Sequence, residues 1–406
     1  MPSAAFPVTV GRMRVLILGS GAQGAVMAHY LGRSDAIDEV VCADVSKPRA
    51  DTARRFAASR KVKSTVLDAS KRRELSRALR GMDMLVNAAL PRFNLPLTKA
   101  ALDASVHYQD LAADYPMIDS QLRLSKGFAR KGRIGLMQCG GSPGITNVLA
   151  REAVESLDTV DSVKLRLTSR IESTRPVSLW SVAVALDDME EPPAVFRDGR
   201  VVRVPPFSDE EVFDFPPPFG LQPVLQHMHE EPLTFGKFLG KGLRYVDLKM
   251  GGHHVYQMKE AMALGLLSRK PVKVGKTAVV PRALLIALSP PALAPDQVTK
   301  LLRSGILHDA TGCHVVQVEG TKGGSRRVLR YASVGPSLRA VQEWIPGATN
   351  MSYRVGVGAA IFVEMVARGQ VKPTGVYPPE CLDDSSRSVY LEELRANHLA
   401  PELTER

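Results

Sequence analysis

A glycine-rich segment near the start of the sequence has the residue types and spacing that bind the pyrophosphate of a dinucleotide. It directly follows the apolar run MRVLIL and directly precedes the helix-forming run AVMAHYL. The first glycine of such a segment allows a tight turn, the second lets backbone N–H groups approach the pyrophosphate, and the third lets the helix pack on the strand. The GxGxxG pattern is formed by Gly19, Ser20, Gly21, Ala22, Gln23 and Gly24.

An acidic residue, Asp44, lies about twenty residues after the last glycine, at the end of the next apolar run, EVVCA. A carboxylate at this position accepts hydrogen bonds from the adenosine ribose and repels a 2′-phosphate, which favours NAD. The cations Lys47 and Arg49 just beyond Asp44 could accommodate NADP, so NADP is kept as a second candidate cofactor.

Two further strand ends complete the expected cofactor site. Asp68 ends the third apolar run, where the adenine ring would lie, although it could equally cap the helix that follows. The fourth run, MLVNAA, ends where the order of parallel strands is expected to reverse, and backbone groups there would contact the nicotinamide ribose. These cofactor residues are Asn87, Ala88, Ala89 and Leu90.

The elements that must position these residues alternate regularly along the chain. The four apolar runs described above are predicted strands, and helical patterns separate them. VHYQDL and residues 134–138 are predicted to form a fifth and a sixth strand. Only parallel pairing with right-handed crossovers accommodates such a repeat easily. The sequence therefore predicts an α/β fold, a Rossmann-type doubly wound parallel sheet over residues 13–140, after a flexible N-terminal extension at residues 1–12.

The pattern changes after GGSPG. VKLRLT alternates apolar and polar residues, and AVFRDGRVVRV holds Asp198 and Gly199 between two alternating runs, which is a strong hairpin signal. A second hairpin is expected around residues 322–325. Alternation with a period of two indicates one polar face and therefore antiparallel pairing. Residues 141–350 are predicted to form a second α+β domain, built on a mostly antiparallel sheet, that carries the substrate and dimerisation surfaces.

The composition excludes several classes of protein. The chain has 406 residues and is 45% apolar, so it is not a disordered chain. Its formal net charge of +11 comes from scattered residues, so no nucleic-acid partner is expected. The sequence contains no run of about 18 apolar residues, so no membrane span is expected. The cysteines lack CxxC spacing, so neither zinc nor disulfides are expected and a cytoplasmic location fits best; they are Cys42, Cys139, Cys313 and Cys381.

Several motifs together resemble a known family. RVLILGSGAQG, NAALPRFN, HYQDL and SPGITN follow one another in the first ~150 residues, and GVYPPE lies near the C-terminus. In this order they resemble the saccharopine dehydrogenase-like oxidoreductases, and most of all their lysine 6-dehydrogenase branch. The resemblance implies that a C–N bond of an amino acid or amine is oxidised to an imine with a nicotinamide cofactor. It also implies that residues 351–406 pack back on the cofactor domain.

Oxidation of an amine requires a group that accepts a proton before hydride leaves carbon. Asp110 ends the fifth strand beside the expected nicotinamide position and is the first candidate for a general base or ammonium anchor; it could instead cap a loop. His229, in the second domain, is the candidate proton shuttle because imidazole titrates near neutrality, with an exposed loop histidine as the alternative. No metal site is expected.

The candidate substrate contacts also have structural alternatives. Arg92 could clamp an α-carboxylate or lie on the surface, and Tyr108 could donate to the substrate or pack in the core. Asn147 could contact substrate or cap the helix that follows GGSPG, and Lys249 could line the polar face of a strand. The full set is Arg92, Asn94, Tyr108, Asn147 and Lys249.

Three functions are compatible with these residues. The first is an NAD(P)-dependent dehydrogenase of the lysine 6-dehydrogenase type, which oxidises a terminal amine. The second is the reductive condensation of an amine with an aldehyde, as in saccharopine or carboxynorspermidine formation. The third is a non-catalytic dinucleotide-binding regulator. A homodimer is expected, because sheet faces of this kind commonly pair about a two-fold axis.

Overall fold

The computed structural model of the protein describes residues 12–405, so residues 1–11 of the expected N-terminal extension lie outside the described chain. The chain divides into two compact units. The first contains the residues up to Val148 together with Ser352–Asn397. The second contains Leu149–Met351 and the residues from His398 onward. No helix in residues 12–405 is long and apolar enough to cross a membrane.

The strands of the described chain range from three to 16 residues in length. They are β1 (Met13–Leu18), β2 (Ile37–Asp44), β3 (Val62–Val66), β4 (Met84–Asn87), β5 (His107–Asp110), β6 (Ile134–Leu136), β7 (Thr159–Ser173), β8 (Ala194–Arg197), β9 (Arg200–Arg203), β10 (Glu211–Phe215), β11 (Gly220–Gln226), β12 (Tyr245–Gly251), β13 (Val272–Val274), β14 (Thr277–Val279), β15 (Leu307–Lys322), β16 (Ser325–Val334), β17 (Gly375–Tyr377) and β18 (Glu402–Glu405).

The α-helices connect these strands in chain order. They are α1 (Ala22–Leu31), α2 (Lys47–Ala57), α3 (Arg72–Ala78), α4 (Asn94–Ala104), α5 (Ile118–Leu122), α6 (Ser125–Arg130), α7 (Ile145–Glu155), α8 (Val182–Glu190), α9 (Glu231–Phe238), α10 (His253–Ala263), α11 (Pro281–Leu288), α12 (Pro295–Arg303), α13 (Leu338–Trp344), α14 (Asn350–Ala367) and α15 (Asp384–Ala396).

The first unit is built on a parallel sheet. Within residues 12–405 this sheet has seven strands in the order β17-β6-β5-β4-β1-β2-β3, and every neighbouring pair is parallel. The predicted doubly wound α/β fold is confirmed, and β17 adds one strand to the six expected from the sequence. The order reverses between β1 and β4, and ligands of such sheets bind at the carboxyl ends of the strands beside that point.

The apolar, small-residue helix α14 packs inside the first unit. A Cβ atom on Gly356 would lie 2.8 Å from the Cβ of Val26 on α1, so the two helices approach closely. The Gln109 side-chain amide also donates to the carbonyl of Ala359 at 2.9 Å. The run VGVGAA therefore has small residues because its neighbours leave no space for larger ones. This packing joins residues from the C-terminal part of the chain to the strands that carry the candidate site.

The second unit is built on a mixed sheet that is mostly antiparallel, as predicted. In the described chain its nine strands include the path β10-β11-β12-β7-β15-β16-β18, and β12 also pairs with β8, which pairs with β9. The β12–β7 pair is parallel. Both predicted hairpins are confirmed: β8 and β9 meet at Asp198 and Gly199, which both have positive φ, and β15 and β16 meet at the second turn. Strands β13 and β14 form a separate small hairpin.

Candidate active site

The glycine turn between β1 and α1 has two glycines that the fold requires and one that it does not. Gly19 has a φ of 98°, and a Cβ there would lie 2.6 Å from backbone atoms of Ala88 and Ala89. A Cβ on Gly24 would lie 2.0 Å from the carbonyl oxygen of Gly19. A Cβ on Gly21, in contrast, would meet no atom within 4 Å. The open space beside Gly21 is where a pyrophosphate must approach the backbone.

Polar groups at this turn are available to an anion. Helix α1 begins directly after Gly21 with no acidic residue in its first turn and no side-chain cap, so its N-terminal N–H groups can bind negative charge. Ala22 and Gln23 in this first turn are only partly buried. The Ser20 hydroxyl is buried and has no hydrogen-bond partner in the described chain. A phosphate oxygen would satisfy it, so the turn fits the pyrophosphate of a dinucleotide.

Asp44 connects the glycine turn to the start of α2. One carboxylate oxygen accepts the Ser20 N–H at 3.1 Å, and the other accepts the Ser46 N–H at 2.9 Å. The Nε of Arg49 lies 3.4 Å from the second oxygen. A carboxylate has about four lone-pair sites, so capacity remains for ribose hydroxyls. The geometry fits the predicted role of Asp44 in holding the adenosine ribose.

Exposed apolar side chains lie at the edge of the sheet that carries the glycine turn. In the described part of the first unit, the exposed large hydrophobic residues are Val45, Val66 and Leu90, with 61%, 55% and 39% of their surface accessible. They lie at or just after the carboxyl ends of β2, β3 and β4. Sequence analysis named Leu90 and missed the two valines, although both stand where polar turn residues are usual. Val45 and Val66 follow adjacent strands and Leu90 lies on the other side of β1, so the three offer apolar contact at two places along the edge that carries the glycine turn.

Asp68 does not cap the helix that follows, as its alternative predicts, because the N-cap of α3 is Lys71 and no side chain caps this helix; Asp68 forms a local turn instead. One of its oxygens accepts both the N–H of Ser70, at 3.0 Å, and the Ser70 hydroxyl, at 2.7 Å. These hydrogen bonds lower the pKa of the Asp68 carboxyl below its ordinary value. Asp68 therefore shapes the turn after β3, next to the exposed Val66.

Asn87 and Asn94 hold the loop after β4 against the glycine turn. Asn87 accepts the N–H of Ala89 at 3.0 Å and donates to the side-chain oxygen of Asn94 at 2.6 Å. Asn94, which is fully buried, donates to the carbonyl of Ala112 at 2.7 Å. The N–H of Ala88 donates to the carbonyl of Leu18 at 2.8 Å. The amide of Asn94 thus acts inside the chain, and the exposed edge of this loop is Ala89 and Leu90.

Arg92 follows the same loop and is exposed. Its guanidinium carbon lies 5.0 Å from the centre of the Phe93 ring, which keeps the side chain at the surface near the carboxyl end of β4. No ion pair of Arg92 is recorded in the described chain, so its charge can accept a carboxylate from a ligand.

Asp110 lies in a buried network that joins the ends of β5 and β6. One oxygen accepts the Tyr108 hydroxyl at 3.0 Å and the Gln121 amide at 2.9 Å, and the other accepts the Gln138 N–H at 2.6 Å. Burial, followed by the charge of Asp110, raises the pKa of Tyr108 well above its ordinary value. The structure thus brings Asp110 and Tyr108 together as partners of each other.

Gln138 is a candidate that sequence analysis missed. Its side chain is fully buried, and neither end of its amide has a hydrogen-bond partner in the described chain. Its backbone φ of 65° is unusual for a residue other than glycine. Buried polar groups without partners are uncommon and mark strained or ligand-dependent positions. No sequence pattern signals this, because an isolated Gln after a strand is unremarkable.

Asn147 fixes the turn after β6 to a buried carboxylate. Its side-chain oxygen accepts the N–H of Gly144 at 2.8 Å, at the start of α7. Its side-chain nitrogen donates to Glu380 at 2.7 Å. The two motifs SPGITN and GVYPPE are therefore joined by one amide, and the helix-capping alternative for Asn147 is the arrangement that the structure contains.

In the second unit, His229 lies between two carboxylates. Its Nδ1 is 2.9 Å from an oxygen of Glu231 and 3.2 Å from an oxygen of Glu230. Burial on its own would lower the pKa of His229, but the two carboxylates raise it well above the ordinary value. Burial and the charge of Glu230 raise the pKa of nearby Asp188 to about 7. Ligand atoms of His229, Glu230 and Glu231 lie within 4.8 Å of one another, a spacing that could also hold a metal ion, although the sequence predicts no metal site.

Lys249 is buried in a separate cluster of the second unit. Its Nζ lies 3.0 Å from Asp209 and 3.0 Å from Glu211. On the neighbouring strand β7, Arg166 is also buried and pairs with Asp247 at 2.8 Å. Lys249 is 2% exposed, so it does not lie on a solvent-facing side of the strand as its alternative predicts; its charge is compensated by the two carboxylates instead.

Comparisons with known proteins match the chain in two segments, which meet near residue 140. A family profile described as the saccharopine dehydrogenase NADP binding domain matches residues 15–136. A second, described as the saccharopine dehydrogenase C-terminal domain, matches residues 140–399, which is more than half of the chain. The chain belongs to the saccharopine dehydrogenase family. The predicted resemblance to this family is confirmed, and the chain is an NAD(P)-binding oxidoreductase of the family; the comparisons do not show the predicted lysine 6-dehydrogenase branch.

Individual relatives of this family match nearly the whole chain. A carboxyaminopropylagmatine dehydrogenase from Synechocystis is 24% identical over 384 residues, covering 91% of this chain and 93% of the relative. A carboxynorspermidine synthase from Vibrio cholerae is 22% identical over 403 residues, covering 91% and 92%. The structure of apo saccharopine dehydrogenase (L-Glu forming) from Saccharomyces cerevisiae has a TM-score of 0.71 at 15% identity, covering 97% of this chain and 100% of that chain, which shows a shared fold.

The open space beside Gly21 leads to a prediction that separates cofactor binding from folding. Gly21→Ala should leave the free energy of unfolding nearly unchanged, because its Cβ meets no atom within 4 Å. It should weaken NAD(P)H binding at least about tenfold, because the methyl group occupies the path of the pyrophosphate. Urea unfolding and nicotinamide fluorescence titration measure the two effects. The control Gly24→Ala should destabilise the fold, and wild-type affinity in Gly21→Ala would contradict the assignment of the turn.

The contacts of Asp110 lead to a second prediction. Asp110→Asn replaces one carboxylate oxygen, which accepts hydrogen bonds, with an NH₂ group, which donates them. This NH₂ group must then face at least one of the three groups that donate to Asp110. The free energy of unfolding should fall by about 1–3 kcal/mol, as expected for buried donors left without a partner. Asp68→Asn, at a partly exposed turn, is the control and should change it by less. Unchanged stability together with lost turnover would instead favour Asp110 as a general base.

Proposed function

We propose that the chain catalyses the NAD(P)H-dependent reductive condensation of an amine with a carboxyl-bearing aldehyde, and the reverse oxidation of the resulting secondary amine. The observation that carries this proposal is the match of relatives over 91% of the chain, across both units. Their names, carboxynorspermidine synthase and carboxyaminopropylagmatine dehydrogenase, denote amines that also carry a carboxyl group. The lysine 6-dehydrogenase reaction differs because it acts on a free terminal amine with no second carbon skeleton.

The chemistry requires a proton donor and a hydride donor. The amine adds to the aldehyde, the adduct loses water to give an imine, and the imine is reduced to the secondary amine. The bound nicotinamide cofactor supplies the hydride to the imine carbon. Loss of water needs a proton on the departing oxygen, and we propose that His229 provides it. The carboxylates of Glu230 and Glu231 support this role because they raise the pKa of His229 and so favour the protonated imidazolium.

The remaining candidates divide into a substrate anchor and positioning residues. We propose that Arg92 binds the substrate carboxylate through two parallel N–H···O bonds, supported by its exposed guanidinium near the end of β4. Asp110 is proposed to act through its partners, by fixing the ends of β5 and β6. Four further candidates are proposed as positioning residues, because the amide, hydroxyl or ammonium group of each is bound inside its own unit. They are Asn94, Tyr108, Asn147 and Lys249.

The setting of the reaction is also a proposal. We propose a homodimer that works in the cytoplasm on small-molecule amines. The cysteines support a reducing compartment, since Cys42 and Cys139 are buried as free thiols. The dimer is supported by exposed apolar side chains in the second unit, among them Leu264 and Leu288.

A substrate panel tests the reaction. The enzyme is mixed with NADH or NADPH and with lysine, diamines or agmatine, with and without a carboxyl-bearing aldehyde. The reduced-nicotinamide absorbance should fall only when amine and aldehyde are both present. Reduction of NAD(P) by a free amine alone would replace this proposal with the lysine 6-dehydrogenase reaction. Tight cofactor binding without turnover across the panel would favour a non-catalytic regulator.

The role of His229 is tested by mutation and pH. His229→Gln should lower kcat by about 10²- to 10⁴-fold while NADPH binding is retained, because the lost group is a proton donor. In Glu231→Gln a counter-charge is removed, so the pKa of His229 falls. Since the protonated form is the active one, the alkaline limb of the kcat profile should move to lower pH. His308→Gln, at an exposed histidine of the same unit, is the control. An unmoved alkaline limb in Glu231→Gln would exclude His229 as the titrating acid.

A further inference from the structure

The cation nearest to Asp44 bears on which form of the cofactor the chain accepts. We infer that Arg49 is the specificity-determining residue for NADP: it leaves Asp44 and pairs with the 2′-phosphate when NADP binds, whereas NAD uses Asp44 itself. The inference rests on the dinucleotide site and holds for any of the C–N reactions considered above. It concerns the adenosine end of the cofactor, which takes no part in hydride transfer.

The contacts of Asp44 remove much of the repulsion that an acidic residue at this position normally exerts on NADP. Both of its oxygens already accept backbone N–H groups, from Ser20 and Ser46, at 3.1 and 2.9 Å. Arg49 brings a full positive charge to within 3.4 Å of one oxygen. The carboxylate and guanidinium together carry no net charge, so a phosphate that approaches this pair meets a neutral group with a movable cation.

Arg49 is free to exchange partners. Its side chain is 65% exposed, and an exposed Arg–carboxylate pair contributes little to stability and is screened by solvent. A phosphate offers the guanidinium two parallel N–H···O bonds and a larger negative charge. The exchange therefore replaces a weak pair by a stronger one without disturbing the backbone bonds of Asp44.

The other cation in this segment is already paired. The Nζ of Lys47 lies 2.5 Å from Asp51 one turn along α2, and Asp51 also accepts the hydroxyl of Ser64 at 2.7 Å. The first turn of α2 contains no acidic residue, and the Ser46 side chain does not cap the helix. A 2′-phosphate beside Asp44 would thus meet a helix N-terminus without competing acids, and Arg49 is the cation that already contacts Asp44.

Binding measurements on the full chain test this inference without any substrate. The dissociation constants of NADPH, NADH, 2′,5′-ADP and ADP are measured by fluorescence and calorimetry for the wild type and for Arg49→Ala. Wild type should bind both reduced cofactors. Arg49→Ala should weaken the binding of NADPH and 2′,5′-ADP roughly 10- to 100-fold, which is the range for a lost hydrogen-bonded ion pair. The dissociation constants of NADH and ADP should stay within about twofold of the wild-type values.

Two further variants keep the test specific. Arg54→Ala removes an exposed cation from the last turn of the same helix and should change none of the four constants. Lys47→Ala should change them by less than Arg49→Ala does. Three outcomes would overturn the inference. Arg49→Ala could lose affinity for NADPH and NADH equally, or Lys47→Ala could lose affinity for NADPH in its place. The third outcome is a wild type that does not bind NADPH. None of these outcomes depends on which reaction is catalysed.

Discussion

Parallel pairing of β1 with β2 on one side and β4 on the other is the constraint on which the candidate site depends. The side chains of Leu16 and Ile17, neighbours on β1 that point to opposite faces of the sheet, are 1% and 0% exposed, so the strand is covered on both faces. Each connection between parallel neighbours must return across a face of the sheet, and the carboxyl ends of the strands therefore share one edge. Residues far apart in sequence, such as Gly19, Asp44 and Ala88, meet there as a consequence.

The polar groups at this edge differ in whether the chain itself satisfies them. Asp110, Asn94 and Asn147 have donors or acceptors bound inside the first unit, and their hydrogen bonds fix the loops. The Ser20 hydroxyl and the Gln138 amide are buried without a partner in the described chain. Since a buried polar group without a partner costs free energy, the second kind points to a ligand more directly than residue type does.

The sequence allowed the repeating strands, both hairpins and the glycine turn to be predicted, because each has its own local pattern. Strand β17 could not be found in this way, since a three-residue strand has no periodicity and exists only because the edge of β6 pairs with it. Val45 and Val66 were missed because an apolar residue carries no sign of its exposure. The donors to Asp110 come from Gln121 and Gln138 on other elements, so its buried network could not be seen from local sequence.

Burial decides which ion pairs in this protein can exchange a partner for a ligand. Lys249 and Arg166 are almost fully buried, and removing a partner from either would leave an uncompensated charge inside the second unit. Arg49 stands at the surface, where water compensates the carboxylate that it leaves. The same reasoning applies to His229, whose two buried carboxylates favour the charged imidazolium over a neutral ring. An ion pair of this chain can therefore exchange a partner for a ligand where it is solvated, as at Arg49, and is fixed where it is buried, as at Lys249 and Arg166.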